Sequence, residues 1–73
     1  KNVLIYKRQN QIVIKSSDEI HSVAIYDLLG RKMFNIEDIN ATQFQINSSD
    51  FGSQVLLISV ECKGKVITQK LVN

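Results

Sequence analysis

Apolar residues recur at every second position along almost the whole chain, and such a pattern commits a polypeptide to strands, because successive strand side chains point to opposite faces. Val3 and Ile5 alternate with Leu4 and Tyr6, and Ile12 and Ile14 flank Val13 after the polar turn Arg8-Gln9-Asn10. Two β-rich runs joined by so short a polar link predict a hairpin. Ser16-Ser17-Asp18-Glu19 breaks the pattern, and Val23-Ala24-Ile25-Tyr26 resumes it as a third strand. In Asp27-Leu28-Leu29-Gly30 the Asp opens a turn and the Gly supplies a positive φ, which predicts a type I turn closed by a left-handed glycine. Lys32-Met33-Phe34-Asn35-Ile36 is the fourth strand.

The cleanest alternation is Thr42-Gln43-Phe44-Gln45-Ile46-Asn47, with amides on one face, as expected of an antiparallel strand with a wet side. Ser48 to Ser53 has loop composition. Val55-Leu56-Leu57-Ile58-Ser59-Val60 is apolar on both faces and is the expected central strand; Cys62-Lys63-Gly64-Lys65 turns the chain into the last strand, Val66 to Val72. No proline interrupts the pattern, and the two stretches that compete as helix, Ser17–Ser22 and Ile36–Ala41, are too short for one. The expected fold is all-β, with about seven short antiparallel strands in an immunoglobulin-like β-sandwich.

Seventy-three residues, 44% of them hydrophobic, fit one small domain spanning 1–73 with a thin core. A lone cysteine, Cys62, leaves no internal disulfide to staple it. Nine Lys and Arg against seven Asp and Glu give 9 − 7 = +2, a scattered excess that does not point to nucleic acid or an anionic membrane. No run of about 18 apolar residues is present to cross a membrane as a helix. The start, Lys1-Asn2-Val3-Leu4, has no initiating Met and no signal-peptide core, and is expected to be a fragment boundary in a longer secreted protein.

Catalytic chemistry finds little support. His21 is the only histidine, beside Asp18 and Glu19 in the same polar stretch, and a solvated loop histidine accounts for it. Lys63 and Lys65 stand near Cys62 and could activate a thiol, but no base accompanies it. The pairs Asp18-Glu19 and Glu37-Asp38 lack the cleft that glycosidase chemistry needs. Phosphate-loop, CxxC and HxxxH patterns are missing, so neither cofactor nor metal is expected. Five aromatics, Tyr6, Tyr26, Phe34, Phe44 and Phe51, are too few for a stacking platform, and Phe34 and Phe44 are expected in the core. The expectation is a non-enzymatic module without a small-molecule substrate.

The segment Val23-Ala24-Ile25-Tyr26-Asp27-Leu28-Leu29-Gly30-Arg31-Lys32-Met33, then Gln54 to Val60, then Gly64-Lys65-Val66-Ile67-Thr68-Gln69-Lys70-Leu71-Val72-Asn73, resembles in order and spacing the C-terminal sorting domain of type IX (Por) secretion cargo of Bacteroidota. The Pro-Asn-Pro opening of many members is not present, and Gly52-Ser53-Gln54-Val55-Leu56 replaces their Gly-x-Tyr, as in a flavobacterial subgroup with a Gln-x-Leu start to the penultimate strand.

The resemblance implies a secretion signal that directs a fused upstream passenger from the periplasm across the outer membrane, to be secreted or held at the cell surface. Its implied partners are the outer-membrane translocon, shuttle proteins and a sortase that removes the domain. Tyr26, Asp27, Gly30 and Arg31 match the first motif, where turn chemistry already explains them as fold-keeping. Lys65, Lys70, Leu71 and Val72 match the terminal motif; with Asn73 they are the expected recognition residues, through an edge strand and a terminal carboxylate. An immunoglobulin-like or fibronectin-like spacer or adhesion module of a surface protein is the alternative.

Overall fold

The computed structural model describes residues 2–73. The alternating runs become six strands: β1 (Val3–Arg8), β2 (Gln11–Tyr26), β3 (Lys32–Ile36), β4 (Ala41–Asn47), β5 (Val55–Cys62) and β6 (Lys65–Val72). Every pairing among them is antiparallel. The expected break at residues 16–19 is not a break in the backbone: the second and third expected strands are two arms of the 16-residue β2. What stops there is the ladder. Residues 11–16 of β2 pair with β1 and residues 11–15 with β4, whereas residues 20–26 pair with β5 and residues 23–26 with β3. Ile20 at the junction still pairs with Ala41 of β4 as well as with Cys62 of β5.

β2 therefore changes neighbours within one continuous six-stranded sheet, whose two sections are a three-stranded sheet β1-β2-β4 around its first half and a four-stranded sheet β3-β2-β5-β6 around its second. Counted by arms there are seven antiparallel strand segments, so the fold is all-β as expected. At the crossing, Ile20 pairs with Cys62 and Ser22 with Glu61, leaving His21 as an extra residue. This bulge explains why the core-facing positions switch from even (Ile12, Ile14, Ile20) to odd (Val23, Ile25). The backbone N–H groups of Ile39 and Asn40 donate to the carbonyls of His21 and Ile20, so the β3–β4 connection holds the bulge in place.

One core joins both sheets. Ile5, Ile12, Ile14 and Ile46 from the first meet Val23, Ile25, Leu56, Ile58 and Val60 from the second. Phe34 and Phe44 close the β3/β4 side, with ring centroids 6.4 Å apart. The expected loop at residues 48–53 opens with a 3-10 turn, Ser48–Phe51, which puts Phe51 edge-on to Phe34 at 6.2 Å. On the other side, the Gln69 side chain donates to the Ile5 carbonyl and ties β6 to β1.

Hairpin geometry sets the register. In the β5–β6 turn Lys63 and Gly64 both take positive φ, 51° and 74°, the type I′ pattern. Lysine is a poor residue there, since the left-handed region costs a side-chain-bearing residue about 1–2 kcal/mol and Asn tolerates it better. Lys63→Asn is expected to raise the unfolding free energy by about 0.5–1 kcal/mol in a urea titration. The exposed Lys63–Asp18 pair it removes, 3.4 Å long, offsets little of that.

Candidate functional site

Asp27 follows the last residue of β2 and organises the turn into β3. The Gly30 N–H donates to the Asp27 carbonyl and the Asp27 N–H to the Arg31 carbonyl, both at 3.0 Å, and Gly30 has φ +85°. This is the expected type I turn with a left-handed glycine. The carboxylate does more than open it. Its Oδ1 accepts the N–H groups of Leu29 and Arg31 at 2.9 Å each, and its Oδ2 accepts Nε of Arg31 at 2.6 Å. The Arg31 backbone N–H is the main reason this carboxyl stays below its ordinary value of 3.8; burial opposes the shift, and the Arg31 guanidinium adds to it. With both carboxylate oxygens occupied in this way, the turn holds Leu28 and Leu29 out in solvent, 62% and 80% exposed.

The terminal motif lies on β6, which pairs with β5 alone and forms an edge of the four-stranded sheet. Lys65 pairs with Cys62 at the turn, Leu71 packs against the core, and Lys70 and Val72 point away from it. Asn73 is held firmly. Its N–H donates to the Gln54 carbonyl, and its side-chain amide donates to the carbonyls of Ser48 and Gly52 at 2.8 and 2.6 Å.

The two motifs meet on the outer face of the four-stranded sheet. Tyr26 stands opposite Leu57, and Leu57 opposite Lys70, so the first and last motifs share one cross-strand row. Strand spacing places Tyr26 and Lys70 about 10 Å apart. Lys32 Nζ sits 5.8 Å from the centroid of the Tyr26 ring and adds a second cation to the row. Sequence reading did not anticipate this alignment, because register across β5 is invisible in a strand-by-strand pattern.

Of the residues weighed for chemistry, His21, Asp18, Glu19 and Lys63 share one open groove. His21 is exposed at the bulge, beside an open groove lined by Asp18, Glu19, Asn40 and Lys63. Cys62 is buried, its Sγ 3.4 Å from the Ser16 hydroxyl. Among the described residues, no group of three or more His, Cys, Asp or Glu side chains is placed to hold a metal ion.

A family model described as a domain of unknown function (DUF8694) matches residues 1–73. The chain belongs to that family. No curated protein matches it. For a DUF8694 domain of this build, the features with the chemistry for contact are the rigid Asp27–Arg31 turn, the β6 edge and the row that joins them.

Proposed function

We propose that the domain is a secretion-sorting module: a folded β-sandwich recognised by a type IX export apparatus, which carries an attached passenger across the outer membrane. The observation that carries this reading is the alignment of Tyr26, Leu57 and Lys70 in one row beside an open edge strand. A tag read by other proteins needs a stable body and a rigid exposed feature, and the Asp27-centred turn and β6 supply both. The outward side of β6 offers unpaired backbone groups for strand addition. The order of the two sequence motifs supports the same reading. A spacer or adhesion module would need the sandwich but not this alignment.

Fusing residues 1–73 to a periplasmic reporter in a type IX-competent cell is expected to send the reporter into the medium or onto the surface. Removing residues 70–73 is expected to leave it in the periplasm. The double substitution Lys70→Ala/Val72→Ala, at exposed positions, is expected to cut export at least tenfold while the thermal transition stays in place. Full export by both variants would overturn the reading.

A further inference from the structure

We propose that two copies of this domain associate through the outer faces of their four-stranded sheets, in an antiparallel two-fold arrangement. This does not rest on the sorting reading. The outer face of the three-stranded sheet carries Gln43, Gln45 and Lys15 in water around the buried Val13, with Leu4 58% exposed at its rim. The outer face of the four-stranded sheet is apolar in its own way and also carries segregated charge. Val66 and Val72 point outward, 62% and 73% exposed, next to the half-buried Val55, Leu57, Ala24 and Tyr26. Nothing else in residues 2–73 lies across this face.

The registers divide the face into rows with segregated charge. The middle row is Asn35, Ala24, Ser59 and Thr68, small side chains that leave room for a close neighbour. One flanking row carries the cations, Lys32 and Lys70 with Tyr26 and Leu57 between them. The opposite row holds Ser22, Glu61 and Val66, with the Ser22 hydroxyl donating to Glu61 Oε1 at 3.1 Å; Glu37, the residue after β3, falls at the same end. Glu61 and Lys70 lie about 13 Å apart along the sheet, too far to pair within one copy.

A two-fold axis along the middle row reverses the neighbour. Its basic row then lies over the acidic row of the first copy, at both ends of the interface. Each Lys32 faces the neighbour's Glu37, and each Lys70 comes within one strand spacing of the neighbour's Glu61. The face is its own complement, as a closed two-fold contact requires. Its extent, roughly 400 Å² per copy from strand spacing and rise, is half that of a standard interface, so the association is of the weak, concentration-dependent kind.

Sedimentation equilibrium and NMR titration of residues 1–73 test this. At low ionic strength, the weight-average mass is expected to rise above 8.3 kDa as concentration approaches about 1 mM, with amide shifts confined to the outward residues of β2, β5 and β6. Salt should weaken it. Lys32→Glu/Lys70→Glu and Glu37→Lys/Glu61→Lys are each expected to lower self-association at least tenfold. Mixing the two variants should restore it, because the acidic face now meets the basic one. A wild-type monomer at the highest concentration, self-association unchanged in either variant, or a mixture no stronger than its parts would each overturn the proposal. Should one variant fail to fold, the wild-type shift map and its salt dependence decide the question.

Discussion

Truncating Ile14 to alanine is expected to lower the unfolding free energy by about 3 kcal/mol, within the usual range for a fully buried isoleucine. Ile14 is completely inaccessible and stands between Ile5 of β1 and Phe44 of β4, just before β2 crosses to the second sheet. The cost is large for a chain of this size, whose whole stability is on the order of 4–11 kcal/mol. The cavity cannot collapse easily, since Ile14 is held by ladders on both flanks. Urea denaturation followed by far-ultraviolet circular dichroism measures the change as a shift in midpoint at constant slope. A loss below about 1 kcal/mol would mean that this part of the core is not close-packed.

The second large effect is expected at Asp27, where the signature is a changed pH dependence as well as lost stability. Its folded carboxyl titrates below the ordinary 3.8, chiefly because the Arg31 N–H stabilises the charged form. A depressed folded pKa gives stability that is present above the unfolded value and lost as pH falls through the folded one. The wild-type domain should therefore weaken progressively below about pH 4. In Asp27→Asn that contribution is missing at every pH. The amide oxygen can still accept the N–H groups of Leu29 and Arg31, as neutral rather than charge-assisted bonds, but its NH₂ group meets the Arg31 Nε donor where the carboxylate accepted it. The variant should be less stable at neutral pH, and its midpoint should fall less steeply between pH 5 and 2. An unchanged acid slope would remove Asp27 from this role. Gly30→Ala tests the same turn without charge: nothing lies within 4 Å of the added methyl, so its expected cost of about 1–2 kcal/mol is backbone conformation alone.

Much of this architecture was legible in the residues themselves. Alternation located the strands, with β2 expected as two, and Asp27 with Gly30 specified the type of the turn that follows β2. The crossing of β2 was only half legible. Ser16 to Glu19 marked a change of neighbours, and Ile20 and Val23, three apart and both buried, carried the trace of the bulge at His21. A polar stretch that ends one ladder looks the same in sequence as one that ends a strand. Phe51 was missed as core because it sits among Ser48, Ser49, Asp50 and Gly52, and a 3-10 turn has no alternation to reveal which way it points. The double-sided apolarity of β5 was read correctly as an interior strand. Yet period two cannot distinguish a face covered by the same chain from one left open, and the charge rows on the outer face depend on pairings from β3, β2, β5 and β6 together.

The length of β2 has a consequence for how the molecule comes apart. A strand that belongs to both ladders leaves neither sheet able to persist once the other has opened, so fraying should be confined to the turns and the loss of structure should be all-or-none. Amide hydrogens of Ile12, Ile14, Val23 and Ile25 should then share one opening free energy, that of global unfolding, when their exchange is corrected for intrinsic rates. A protease should encounter either an intact particle or a wholly accessible chain, with no half-sized remnant between them.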